Sequence, residues 1–461
     1  MKKFLKIVFA ILLGLIVTAV IVVAITFPPV MGGMAAKTMC SCVYLTGRTP
    51  ESVRQKELQV FPGLSDSKIT LNDADSSVTS SILWKTSKAI YRKGVGCVLL
   101  SEQSEEEVRK QKIVLPAPPP LEQDSLPWPS GNRTTNVKLD GVNYDAISKA
   151  VDHAFEDKNA ADPIYTHAVV ILYNGEIVGE KYAEGLGHNS RLAGWSMTKS
   201  IANALIGILV KEGKLRVEDP APVPEWKNDE RKNITLNNLL QASSGLEWSE
   251  SYFTPWSQFH TMFIHRDDKA AYAASLGQKH EPNTVFQYSS GTTNIVSRII
   301  RQTVGNDEYY KFPYEKLFYK IGMNQALIEA DASGTFVASS YGYASARDWA
   351  RFGLLYLNDG VWNGERILPE GWVTYSTTPA PAAPLQQYGA QIWLNKGDPK
   401  DPTKVENPGL PNESFLFEGF ERQAVVVVPS KKLVVVRIGV THNQDFSLAD
   451  LVNGVIEGLP D

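Results

Sequence analysis

Apolar residues run from Ile7 to Phe27 with interruptions only at Gly14, Thr18 and Thr26, and Pro28 and Pro29 follow. At a rise of about 1.5 Å per residue, a helix of that length crosses a hydrocarbon core of about 30 Å. Lys2, Lys3 and Lys6 precede the run, which keeps the amino end cytoplasmic and sends the remaining chain outward. A secretory h-region is shorter, about 7–15 residues. The pattern therefore predicts an uncleaved single-pass anchor in the inner membrane, closed by the proline pair, with a periplasmic body. The alternative is cleavage at the small-x-small site Gly33-Met34-Ala35.

Beyond the anchor the pattern changes three times. Residues 31–100 mix short apolar runs, such as Val43-Tyr44-Leu45 and Ile82-Leu83-Trp84, with turn residues, and predict a small β-containing extension. From Ser101 to about Asn132 the prolines 116, 118, 119, 120, 127 and 129 suit neither helix interior nor central strand, so this stretch reads as a linker or a wrapped connection. Periodicity then predicts a helix over Tyr144–Phe155 and strands over His167–Tyr173 and Glu176–Tyr182, joined by Asn174-Gly175, a strong hairpin signal. A helix beginning at or just after Ser196 follows, with Ile201, Leu205, Ile208 and Leu209 as its apolar stripe and Gly213 as its stop. From Leu236 to about Arg351 the pattern is mostly helical. Strands return over 415–420, 424–428 and 433–440, and a final helix carries Leu448, Leu451, Val452 and Val455.

That order predicts an α/β (α+β) fold, one antiparallel sheet built from both ends of the body and flanked by helices, with a mostly helical subdomain inserted between them. The domains follow: an anchor over residues 1–30, the extension and linker over 31–135, and a body over 136–461. A cleft at the junction is the place to look for a site.

Composition narrows the reading. Net charge is -4 over 461 residues with both signs interspersed, which leaves no electrostatic footprint for nucleic acid, and aromatic residues at 10% argue against disorder. The three cysteines, Cys40, Cys42 and Cys97, all precede the body. In an exported chain they predict one disulfide from Cys97 to either Cys40 or Cys42. They match no zinc spacing, no H-E-x-x-H occurs, and His260 and His265 read as solvated or core residues, so neither metal nor cofactor is expected.

The chemistry centres on Ser196-Met197-Thr198-Lys199. Three-residue spacing on a helix puts hydroxyl and amine one turn apart, within reach of a proton transfer, and the helix amino end favours developing negative charge. S-x-x-K by itself is weak, since Ser65 and Lys68 repeat it without support. Two later stretches make sense beside it. Tyr288-Ser289-Ser290 offers a phenol that, next to the lysine, can accept the serine proton. Phe417-Glu418-Gly419-Phe420 offers a glycine that lets backbone approach a substrate, with an N–H for a carbonyl oxygen. Ser196 lacks the second glycine of a G-x-S-x-G elbow, because Thr198 stands there, so an α/β-hydrolase reading fails.

Four ordered motifs carry a family resemblance. They are Ser196-Met197-Thr198-Lys199, Leu239-Leu240-Gln241-Ala242-Ser243-Ser244-Gly245-Leu246, Tyr288-Ser289-Ser290, and Ser345-Ala346-Arg347-Asp348-Trp349-Ala350-Arg351-Phe352-Gly353. Together they resemble the superfamily of class C beta-lactamases, D-alanyl-D-alanine carboxypeptidases and esterases, and within it the 6-aminohexanoate-dimer hydrolase type. The resemblance covers roughly residues 140–455 and implies acyl transfer. Ser196 would be the nucleophile, Lys199 and Tyr288 the proton relay, and the N–H groups of Ser196 and about Phe420, beside Gly419, the oxyanion hole. It implies a small-molecule or peptide amide or ester as substrate. Departures are instructive: no K-T-G occurs, Gly419-Phe420-Glu421-Arg422-Gln423 stands in its place with Arg422 at the second glycine of a G-x-x-G-Q pattern, and Ser290 replaces the lactamase asparagine. A D,D-peptidase or beta-lactamase, and a non-catalytic binding module on the same fold, are the alternatives.

Overall fold

The computed structural model describes residues 2–119, 123–134, 138–156, 163–442 and 446–460, and the chain divides into two compact units. The boundary expected at 135/136 lies outside the described residues.

The first unit comprises residues 1–92, 97–109 and 249–267. Its helix α1, Lys2–Cys40, runs through Pro28 and Pro29 instead of closing at them. Each proline in a helix interior costs about 3 kcal/mol. The compensation is tertiary: Val30, Met31, Ala35, Ala36 and Met39 are buried, whereas Phe4, Ile11, Val23 and Ile25 upstream are exposed. Among the described residues one helical span, Val22–Leu45, is long and apolar enough to cross a membrane, and half of it is buried. Beside it lies a four-stranded sheet, β1 (Lys68–Asn72), β2 (Ser77–Ile82), β3 (Lys85–Arg92) and β4 (Gly96–Leu99), in that spatial order. Cys40 is bonded to Cys97, with Cα atoms 6.0 Å apart, which resolves the open pairing and leaves Cys42 buried outside the bond. The chain re-enters this unit over 249–267, where the helix Gln258–His265 puts Ile264 against Gly33, and Asp267 accepts the N–H groups of Glu102, at 3.0 Å, and Gln103.

The second unit holds a six-stranded antiparallel sheet whose spatial order runs through residues 393–394, 415–419, 423–428, 433–439, 166–173 and 176–182. β5 (Thr166–Tyr173) and β6 (Glu176–Tyr182) meet at Asn174-Gly175, both with positive φ, as a primed hairpin turn requires. β12 (Trp393–Leu394), β13 (Phe415–Gly419), β14 (Gln423–Val428) and β15 (Leu433–Gly439) complete it from the far end of the sequence. The valine runs of β14 and β15 are buried on both faces because helices cover both. Helices α2 (Tyr144–His153) and α6 (Leu448–Ile456) pack Ile147, Val151, Leu451 and Val455 against Val426 and Val435. On the other face α5 (Ala346–Leu357) comes so close that a methyl on Gly353 would stand 2.6 Å from Val434 and 2.8 Å from Val425.

The insert carries α3 (Thr198–Lys211), α4 (Ser290–Val304) and a three-stranded sheet β7-β9-β8, in which β7 (Leu192–Trp195) pairs with β9 (Gly342–Ala344) and β9 with β8 (Leu327–Ile328). β7 delivers the chain to Ser196. The sheet that unites both ends of the body is the one the hydrophobic pattern predicted.

Candidate active site

Ser196 sits in the turn between β7 and α3, two residues before the helix. Trp195, just upstream, holds φ +47°, a conformation that is uncommon for a bulky residue and that neighbouring contacts must enforce. Thr198 is one enforcer: its hydroxyl donates to Trp195 O at 2.6 Å and accepts from Gly342 N at 2.8 Å. Another is Gly194, where a methyl would stand 2.3 Å from the Trp349 ring of α5. Lys199 occupies the first turn of α3 and is 2% exposed. Its Nζ donates to Ser196 Oγ at 3.1 Å, Ser290 Oγ at 3.2 Å and Ser339 O at 2.7 Å. These three contacts anchor the buried amine and aim it at the serine.

Tyr288 joins this cluster, with Lys199 Nζ 4.7 Å from its ring centroid. Its ring packs against Trp393 and Tyr388, centroids 5.2 and 5.9 Å away. Ser289 caps α4 by accepting Thr292 N at 3.1 Å, so Ser290 enters the first turn facing the lysine. The segment 239–246 explains itself here. Ala242 O and Ser243 O receive Gln287 N and Asn283 N, and Gly245 O receives Lys279 N and His280 N, so this segment cradles the loop that leads to Tyr288. Gly245 has φ +76°, and a methyl there would come 2.0 Å from His280 O. Tyr288→Phe keeps the ring packing and removes the hydroxyl; we expect kcat to fall about 10²-fold with little change in melting temperature. An unchanged kcat on an ester substrate would remove Tyr288 from the relay.

Gly419 ends β13 beside the serine: a methyl there would stand 2.3 Å from Gly194 O and 3.2 Å from Ser196 N. Among the described residues β12 pairs with Phe415 and Leu416 and not with Gly419. The Phe420 ring meets Trp195 edge-on, centroids 5.9 Å apart. The turn that follows places both Glu421, φ +63°, and Arg422, φ +61°, in the left-handed region. This accounts for the glycine of the related pattern, since Arg422 holds a conformation that glycine adopts freely. Arg422 gains an ion pair with Glu418 at 2.6 Å. Arg437, fully buried on β15, donates to Glu421 O and Arg422 O at 3.1 and 3.4 Å and to Ile164 O at 2.7 Å, and its ring neighbour is Phe446. Burial pushes its guanidinium down to about 9, opposed by the Glu421 carboxylate. Gln423 ties the start of β14 to Gly439, whose N–H it accepts at 2.9 Å.

Burial raises the Glu418 carboxyl while Arg422 pulls it back down. Arg422→Gly relieves about 1 kcal/mol of backbone cost but leaves the partly buried Glu418 without that cation. With its folded-state pKa raised further above the unfolded value, Glu418 penalises the fold when ionised. The variant's melting deficit should therefore be largest near neutral pH and shrink as pH falls toward about 4.3. A deficit independent of pH would show that the pair does not set it.

The Ser345–Gly353 motif builds α5 and holds its surroundings. Ser345 and Asp348 form a capping box. Arg347 forks onto Glu180 of β6 and donates to Asn132 O at 2.6 Å. Arg351 donates to Pro129 O, Gly131 O and Asn132 Oδ1 at 2.8, 2.7 and 2.9 Å and lies 4.5 Å from the Trp128 ring. The proline-rich stretch thus has a clasp at its carboxyl end. His260 and His265 lie on the Gln258–His265 helix of the first unit, where His260 Nε2 meets Tyr252 O at 2.8 Å. Among the described residues, no group of three or more His, Cys, Asp or Glu side chains is placed to hold a metal.

Ser196, Lys199, Tyr288, Gly419 and Phe420 are brought together as described. Sequence reasoning treated Ser290 only as a replaced asparagine and missed its bond to Lys199; its place in Tyr288-Ser289-Ser290 was the signal available. Ser339 contributes a carbonyl and Arg437 works through backbone oxygens, so neither had a side-chain pattern to find.

The sheet, the flanking helices and the inserted helical part define the serine beta-lactamase and penicillin-binding-protein fold. Two solved structures share it: a family VIII carboxylesterase, 15% identical with a TM-score of 0.53 over 70% of this chain and 99% of that one, and a penicillin-binding protein homolog from Caulobacter crescentus with the same four values. The chain belongs to the Beta-lactamase family, whose model matches residues 151–450. It is also 27% identical over 220 residues to the 6-aminohexanoate-dimer hydrolase of Paenarthrobacter ureafaciens, a match covering 45% of this chain and 56% of that protein's length.

Proposed function

We propose that the chain is a serine hydrolase that cleaves a linear amide or ester through an acyl-enzyme on Ser196. The observation that carries this is the buried Lys199 amine, 3.1 Å from Ser196 Oγ and anchored by Ser290 and Ser339. With the Lys199–Tyr288 pair holding one vacant proton site, as neutral amine or phenolate, Ser196 Oγ attacks the substrate carbonyl carbon while its proton passes to that pair and on to the leaving nitrogen or oxygen. The carbon–leaving-group bond breaks, an acyl ester forms on Ser196, and water then attacks it to release the acid and restore the hydroxyl. The N–H groups of Ser196 and Phe420 would hold the oxyanion. Where a lactamase lysine would stand, this chain has Gly419-Phe420-Glu421-Arg422-Gln423, and the relative named above is a 6-aminohexanoate-dimer hydrolase. Both favour a short linear amide or ester over a beta-lactam or a D,D-peptide. The apolar, exposed first part of α1 supports an uncleaved anchor with the body outside the cytoplasm, and the disulfide fits an oxidising compartment.

The test is intact mass of the full chain after exposure to a fluorophosphonate, beside Ser196→Ala. One adduct that vanishes in the variant is expected, followed by turnover of p-nitrophenyl esters and linear amides. No adduct on folded protein with either a fluorophosphonate or a smaller ester would favour a binding module. Faster turnover of a beta-lactam or a D-alanyl-D-alanine peptide would move the substrate assignment.

A further inference from the structure

We infer that the turn between β2 and β3 is a second membrane contact, in which Leu83 and Trp84 enter the interface of the bilayer that α1 crosses; this rests on the anchor reading of α1. Ile82 pairs with Lys85, so Leu83 and Trp84 form the two-residue tip of the hairpin. They are 73% and 66% exposed, and Leu83 holds φ +52°. Two-residue turns favour Asn, Asp or Gly at such a φ, because a large side chain there adds strain. Here the tip carries two large apolar side chains that are mostly exposed among the described residues, a departure from the local rule.

Position supplies the partner. A methyl on Gly32 of α1 would lie 3.3 Å from Ser87 Oγ and 3.8 Å from Ser80 O, so α1 passes β2 and β3 at that level. Further along α1, Cys40 is bonded to Cys97 of β4, and β4 continues to Leu100, whose N–H meets Lys88 O. Moving along α1 from Cys40 back to Gly32 therefore moves along β3 toward the tip. Three more strand residues, from Ser87 to Trp84, add about 10 Å. The same distance along a helix is about six or seven residues, which brings the tip level with Ile25 and Thr26. That is where the exposed apolar stretch of α1 ends, Ile25 being 63% exposed and Val30 buried. A tryptophan and a leucine at that height, followed by Lys85, match the aromatic and basic side chains found at a membrane–water boundary. The opposite end of β2 has a different character: the turn after Asn72 reads Asp73-Ala74-Asp75 and suits water.

The experiment uses the full chain reconstituted in phosphatidylglycerol/phosphatidylethanolamine vesicles, with an environment-sensitive NBD label on Trp84→Cys and, separately, on Ala74→Cys, attached without reduction. Retained fluorophosphonate labelling shows that each variant is folded. Expected is a blue shift for the label at 84, with quenching by lipids brominated near the headgroup, and water-like emission without quenching at 74. If the chain floats with the vesicles and resists carbonate extraction while both labels stay water-like, the tip proposal is overturned and the anchor stands. If the chain does not float with the vesicles, the anchor reading falls and this inference with it.

Discussion

Lys199→Met is expected to lower kcat/KM for a p-nitrophenyl ester about 10²- to 10⁴-fold, the range for losing a positioned proton acceptor or donor. The side chain volume is kept, and the stem still fills the space between α3 and α4. What disappears is the amine that meets Ser196, Ser290 and Ser339 at 3.1, 3.2 and 2.7 Å. A second effect travels with it. Ser290 Oγ and Ser339 O lose a buried partner, which costs about 1–3 kcal/mol each when nothing replaces it, so the melting temperature should fall as well. The two effects separate by assay temperature. A rate deficit that persists well below the variant's melting transition belongs to the chemistry. A variant that retains wild-type kcat/KM while folded would take Lys199 out of the relay and leave it a structural cation.

Gly419→Ala is expected to cost about 10²- to 10³-fold in kcat, the loss typical of removing one oxyanion donor. The physical reason is local. The added methyl would stand 2.3 Å from Gly194 O, a distance that no side-chain rotation relieves because both partners are backbone. Either β13 moves away from the serine or the Gly194–Ser196 turn gives way, and both displace an N–H proposed to face the oxyanion. The sheet beyond Gly419 pairs through Phe415–Glu418 with β14 and should hold, so circular dichroism and fluorophosphonate mass serve as controls for the fold. Slow but complete labelling with a large drop in turnover is the expected signature. Wild-type turnover would mean that β13 does not contribute to the oxyanion site.

Legibility varied with how local the deciding interaction was. The hairpin at Asn174-Gly175, the valine strands and the stripe of α3 were readable because each rests on residues close in sequence. The Ser196/Lys199 pair was readable for the same reason, since three residues on a helix set the distance. Tyr288 and Gly419 could be nominated from their chemistry beside the lysine and from the family pattern, but not placed; what places them is the 239–246 cradle and the close approach of β13 to Gly194. The end of α1 was misjudged because two prolines argue locally for a stop, whereas burial of Val30 through Met39 against the first unit outweighs that preference.

By itself, then, the sequence determined the elements, the joining of both chain ends in one antiparallel sheet, and the pairing of Ser196 with Lys199, because these follow from periodicity, turn chemistry and short spacing. Only the tertiary structure decided the rest. It paired Cys97 with Cys40, drew 249–267 into the first unit, gave Lys199 its Ser290 and Ser339 partners, and held Arg422 left-handed under Arg437. These depend on residues from 15 to more than 100 positions apart, whose meeting is set by packing of whole elements and leaves no local pattern in the chain.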